Sequence, residues 1–240
     1  MITLRRANDR GHSDRGWLDS WHTFSFADYH DTAHMGFRSL RVINDDRVAA
    51  GQGFGAHAHR DMEILSYVLE GSLAHKDSMG ESHVIGPNTI QAMSAGTGIV
   101  HSEFNPSDDA PVHFLQIWIE PAMEDVKPSY QQITFDAAEK RGRWRMLASP
   151  HPAREEASAA IHQDAWVYAT ELGHGESLGR SVRDGRYGWV QVARGSVSLN
   201  GQRLEEGDGA ALHAANEGER EFSFRGESEG GAEILFFDLA

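Results

Sequence analysis

Short apolar or alternating runs recur along the chain, separated by Gly, Asn, Asp and Pro. Runs at 39–43, 63–69, 83–85, 89–93, 112–119, 189–192, 196–199 and 234–237 predict β-strands, since a period of two sends alternate side chains to one face. Asp77-Ser78-Met79-Gly80 reads as a hairpin turn. Asn200-Gly201 is a stronger hairpin signal, because both residues accept the positive φ angles of a type I′ turn. Many short strands at regular spacing predict an all-β chain of sandwich or barrel type. One helix is expected at 136–141, and 149–160, rich in Pro, Ala and Glu, reads as a linker. Two domains follow, 1–135 and 148–240.

A faint internal repeat supports the division. Tyr67-Val68-Leu69-Glu70-Gly71-Ser72-Leu73 is similar to Val190-Gln191-Val192-Ala193-Arg194-Gly195-Ser196-Val197. Laying one half on the other puts Ser181 and Arg183 opposite His57 and His59, and Phe222 and Phe224 opposite His101 and Glu103. The second half is expected to keep the architecture and carry no metal ligands.

Composition narrows the chemistry. The 240 residues, 40% hydrophobic, suffice for one large or two small domains. Without Cys there is no disulfide, thiolate nucleophile or Cys-ligated metal. The formal charge of −14, with 36 acidic against 22 basic residues, argues against a nucleic-acid partner. No apolar run suits a bilayer and the first residues lack a signal peptide's apolar stretch, so a cytoplasmic protein without a membrane partner is expected. The sequence leaves the oligomeric state open, a monomer being the simplest expectation.

Position selects among the 14 His. His57 and His59 form one i, i+2 pair, and His101 and Glu103 another. On a strand such pairs point to one face, so two neighbouring strands can aim three imidazoles and one carboxylate at a single point. That set suits one divalent metal ion, Fe, Ni, Cu, Mn or Zn, and leans towards redox metals with open positions. Glu63 shares the face of His59 and is either a ligand or a partner that holds an imidazole tautomer, the latter or a structural part being favoured. His22, His75, His83 and His113 read as ordinary histidines, His22 with a place at a pocket mouth. Phe24, Phe26, Phe37 and Trp118 read first as core and second as walls of a cleft.

The spacing Gly51-x5-His57-x-His59-x3-Glu63 resembles the first cupin motif, and Gly98-x2-His101-x3-Asn105 resembles the end of the second. Gly71 stands one residue late, and Gly96 occupies the usual Pro position. Typical cupins take their carboxylate ligand at the place of Glu63. The pattern His-x-His with His-x-Glu is instead similar to the pirin family, as are Asp19-Ser20-Trp21-His22-Thr23-Phe24-Ser25-Phe26, Met35-Gly36-Phe37, Arg41-Val42-Ile43-Asn44-Asp45-Asp46 and Met93-Ser94-Ala95-Gly96-Thr97-Gly98. The resemblance is strong over the first half of the chain and weak over the second. It implies a bicupin, two jelly-roll β-barrels with one metal in the first. The similarity to bacterial quercetin 2,3-dioxygenases of that family implies Fe(II) as the first choice of metal. It also implies a small aromatic substrate, a flavonol, opened by O2 to a depside and carbon monoxide. Glu103, both ligand and nearest carboxylate, is the expected catalytic base for the flavonol hydroxyl. The alternative, implied by pirins that act as transcriptional cofactors, is a metal- or redox-sensing interaction module.

Overall fold

The computed structural model describes residues 1–151, 157–213 and 220–240. In chain order the strands are Ile2–Arg5 (β1), Gly11–Asp14 (β2), Leu18–His22 (β3), Leu40–Val48 (β4), Gly53–His59 (β5), Glu63–Glu70 (β6), Leu73–Asp77 (β7), Ser82–Ile85 (β8), Thr89–Ser94 (β9), Ile99–Phe104 (β10), Val112–Ile119 (β11), Ser129–Thr134 (β12), Arg145–Ser149 (β13), Ala159–Ala160 (β14), Ala165–Leu172 (β15), Ser177–Val182 (β16), Tyr187–Arg194 (β17), Ser196–Leu199 (β18), Gln202–Glu205 (β19), Gly209–His213 (β20), Arg220–Gly226 (β21) and Ala232–Leu239 (β22). Each run expected to be a strand falls on one of them. Asn200 and Gly201 join β18 to β19 with φ of +47° and +85°, as the type I′ turn requires.

The helix expected at 136–141 is a single 3-10 turn, Ala137–Glu139. A capping box closes it: the Asp136 carboxylate accepts from Ala138 N, and Glu139 accepts from Asp136 N, both at 2.8 Å. Lys140 then turns inward to Glu233 (2.5 Å) and Glu171 (2.9 Å), which ends the turn. Of the expected linker, Ser149 ends β13 and Ala159–Ala160 is β14, while 152–156 lie outside the described residues. No helix among the described residues is long and apolar enough to cross a membrane.

The strands gather into two compact units. The N-terminal unit comprises Gly11–Phe135 and Pro150–Gln163; the C-terminal unit comprises Met1–Arg10, Asp136–Ser149 and Asp164–Ala240. In the N-terminal unit one antiparallel sheet runs β12-β9-β6-β11-β4-β3-β2 and a smaller one β5-β10-β7-β8. Its core draws on both, with Val48, Val68, Val112 and Phe114 from the larger sheet and Leu73 and Ile85 from the smaller. Burial of such side chains is the main favourable term holding the sheets face to face, about 1.5–3 kcal/mol each. The C-terminal unit repeats the plan as β1-β20-β17-β22-β15-β13 and β16-β21-β18-β19. There β1 takes the place beside β20 that β12 takes beside β9, because Ile2 and Leu4 pack on that unit's core.

Candidate metal centre

The two i, i+2 pairs, His57 with His59 and His101 with Glu103, lie on adjacent antiparallel strands. His57 on β5 stands opposite His101 on β10, and His59 opposite Ile99. Beyond His101 the register shifts, so that Glu103 meets Phe54 and β5 carries one extra residue. The bulge lets Phe54 and His57, three residues apart, share the inner face. Gly96 closes the turn ahead of β10 with φ of +46°, where a Cβ would lie 1.9 Å from the Val126 carbonyl oxygen. Only glycine fits there, which accounts for the residue that departs from the usual cupin pattern.

The structure brings His57, His59 and His101 together, with one ring nitrogen of each within 4.8 Å of the others. Ring centroids are 4.4 Å apart for His57 and His101, 4.8 Å for His57 and His59, and 4.9 Å for His59 and His101. His57 Nδ1 is 2.8 Å from the Gly55 carbonyl oxygen. A carbonyl only accepts, so Nδ1 carries the proton and Nε2 keeps its lone pair. His101 Nε2 is buried with no partner. Burial, reinforced by His57, holds the His59 imidazole down at about 4; burial, with His57, His59 and His75 close by, holds His101 at about 2. Both are neutral at pH 7 and offer lone pairs. Clustered neutral imidazoles with an orphaned buried nitrogen fit a divalent metal ion.

Glu103 belongs to a second group, with His75 and His101, whose ligand atoms also lie within 4.8 Å of one another. It is fully buried, and its carboxylate is clamped. Gln116 Nε2 donates to Oε2 at 2.7 Å, and Ser66 Oγ and Gln91 Nε2 donate to Oε1 at 3.1 and 3.3 Å. Burial pushes this carboxyl above the usual range, although the nearby His75 and the bonds from Ser66 and Gln116 oppose the shift. Glu63 stands apart, holding Ser94 Oγ (2.7 Å) and His162 Nδ1 (3.1 Å), a structural bridge.

A cleft of about 510 Å³ contains His57, His59 and Glu103 in its lining. Its aromatic walls are Trp17, Phe26, Tyr29, Phe54 and Trp118, and His22 also lines it. Trp118 stands edge-on to both His59 (4.9 Å) and Phe26 (5.3 Å). Phe24 is core and Phe37 is not in the lining. His113 pairs with Asp45 and His83 with Glu81. Ser66, Gln91, Gln116 and His75 escaped the sequence reading as parts of this site. Gln91 and Gln116 carried a usable signal, since a polar residue amid an apolar strand needs a buried partner. Trp17 and Tyr29, in segments without periodicity, carried none.

In the C-terminal unit β16 and β21 pair as β5 and β10 do. Phe222 and Phe224 take the inner positions, both buried. Facing Phe222 is Arg180, not Ser181, and Val182 is the next inner residue. Without a bulge in β16, the alignment slips by one residue, which reverses the face.

An all-β chain with two units of one plan, and an imidazole cluster on facing strands of the first, is a bicupin. The pirin family model matches residues 3–119, and a model described as the quercetinase C-terminal cupin domain matches 146–239. Quercetin 2,3-dioxygenase of Escherichia coli strain K12 is 46% identical over 239 residues, covering 100% of this chain and 99% of that protein. Crystal structures of YhhW from Escherichia coli are similar throughout. One covers 100% of this chain and 98% of its own at 45% identity and TM-score 0.92. The bacterial pirin YhhW in complex with nickel(II) covers 100% and 99% at 44% identity and TM-score 0.90. The chain belongs to the pirin family of the cupin superfamily.

Proposed function

We propose that the chain is a metal-dependent dioxygenase that opens flavonols such as quercetin with O2 to a depside and carbon monoxide. The observation that carries this reading is the three-imidazole cluster of His57, His59 and His101, of which His57 and His59 line an aromatic-walled cleft together with Glu103. The name of the Escherichia coli relative supports the same activity. His57, His59, His101 and Glu103 would hold one metal ion in the N-terminal unit, and the C-terminal unit, which also takes in Met1–Arg10, would hold none. Three imidazoles and a carboxylate discriminate poorly among first-row metals. Fe(II) is the first choice, and nickel(II), bound in the Escherichia coli relative's crystal structure, is the leading alternative. When bound, such an ion supplies Lewis acidity and, for a redox metal, electron transfer.

The protein's own groups do the rest. Trp118, Phe26 and Phe54 offer apolar faces to a flat ring system, and a cleft of this size suits one small ligand. Glu103, raised in proton affinity by burial and held by Ser66, Gln91 and Gln116, accepts the proton of the flavonol 3-hydroxyl. The walls exclude bulk water from the activated ring. The test is to strip the protein of metal and supply quercetin, O2 and each candidate metal in turn. Flavonol loss matched by carbon monoxide release with at least one metal, abolished by chelator, is expected. A partner protein that binds only the metal-loaded form, with no turnover on any metal, would put the interaction module in its place.

A further inference from the structure

We infer that His75 is a positioning residue which, oriented by Asp77, fixes His101 in the tautomer that offers Nε2 to a metal; this rests on the ligand set proposed above. His75 and Asp77 are an i, i+2 pair on β7 and share its inner face. Asp77 stands opposite His101, and His75 opposite Glu103. His75 and Asp77 are both buried.

The protons can be counted along the chain of contacts. Asp77 Oδ2 lies 3.0 Å from His75 Nε2. A carboxylate accepts, so in the neutral imidazole Nε2 of His75 carries the proton and its Nδ1 is left as an acceptor. His75 Nδ1 lies 3.5 Å from His101 Nδ1. One of two facing nitrogens must donate, and only His101 is able to. Its Nδ1 therefore holds the proton, and the lone pair falls on Nε2, the buried atom with no partner. His57 reaches the same tautomer through the Gly55 carbonyl.

Both ends of the relay are anchored. Asp77 Oδ1 accepts from Met79 N (2.8 Å) and Glu81 N (3.2 Å), so the turn between β7 and β8 holds the carboxylate. Tyr130 stacks on His75 at 4.7 Å, and His83 stacks on Tyr130 at 4.9 Å. Groups that hold a ligand's second nitrogen commonly set metal affinity by about 10- to 100-fold.

The test uses His75→Phe, which keeps a stacking ring but removes the acceptor, and His75→Gln, which restores a carbonyl. Nickel(II) titration of the metal-free chain should show affinity reduced about 10- to 100-fold in His75→Phe and largely recovered in His75→Gln. Nitrogen-15 shifts of His101 in metal-free protein should report the Nδ1–H tautomer in the wild type and a mixture in His75→Phe. Wild-type affinity in a folded His75→Phe protein overturns the inference, as does equal weakness of both variants or a wild-type His101 protonated on Nε2. If the wild type binds no nickel(II), the metal reading fails, while the tautomer measurement still decides the relay.

Discussion

The pair β5/β10 and the pair β16/β21 occupy equivalent places in two units of one plan, yet their interiors differ. Between β5 and β10 lie half-buried His57 and His59 and buried His101 and Glu103. Between β16 and β21 the inner positions hold Val182, Phe222 and Phe224, part of one apolar cluster with Val190, Leu212 and Phe236. The Arg180 guanidinium closes that interior by lying 3.8 Å over the Tyr168 ring. The fold needs only that this space be filled or its polar atoms paired. In the C-terminal unit phenyl rings fill most of it, and Arg180 Nε, also buried without a hydrogen-bond partner, belongs to a guanidinium that lies against an aromatic ring. In the N-terminal unit it is left polar, with His101 Nε2 unpaired, an arrangement that costs stability unless something else binds there. On the proposed reading, metal chemistry belongs to the N-terminal unit and support to the C-terminal one.

The sharpest way to break that contrast is to alter one unit and read out the other. Glu103→Gln keeps an oxygen donor and loses the base. Turnover of quercetin in metal-loaded protein is expected to fall roughly 10²–10⁴-fold with metal partly retained. Near-normal turnover by a metal-loaded variant would remove Glu103 from the proton transfer. Phe222→Ala empties the C-terminal interior. A loss of about 3–5 kcal/mol in denaturant unfolding is expected, with the metal content per folded chain unchanged. A fall in metal content without loss of stability would reverse the assignment of roles.

A smaller effect follows from protonation in metal-free protein. The folded chain holds His59 at about 4 against an ordinary 6.5, chiefly through burial and then through His57. The unfolded chain thus binds more protons between those values, and the stability present above pH 6.5 is lost as pH falls towards 4. Burial shifts Glu103 upward, which acts in the opposite sense, its contribution being lost as pH rises through the folded value. Comparing the wild type with His59→Gln isolates the imidazole. The wild type should lose stability relative to the variant across that window, and a constant difference would contradict the assignment.

Much of this was legible in the sequence, for physical reasons. The strands of the larger sheets were plain because their buried faces read as apolar runs, as in Val112–Ile119. The His57, His59, His101 and Glu103 pairs stood out because period two is the geometry of a strand. What the sequence hid depends on contacts between distant segments. His75 looked ordinary because its partners, Asp77 aside, come from β10 and β12. The bulge in β5 set a register that an ungapped alignment could not follow, so Arg180 rather than Ser181 faces Phe222. Trp17 and Tyr29 reach the cleft from segments that no periodicity marks.

The central claim is that a single metal sits in the N-terminal unit on the imidazoles of β5 and β10. Elemental analysis of folded wild-type protein beside the double variant His57→Ala with His59→Ala tests it most directly. The account predicts one equivalent per chain in the wild type and none in the variant, with circular dichroism unchanged because the apolar cores are untouched. Full metal occupancy in the double variant, or a second equivalent in the wild type, would contradict it.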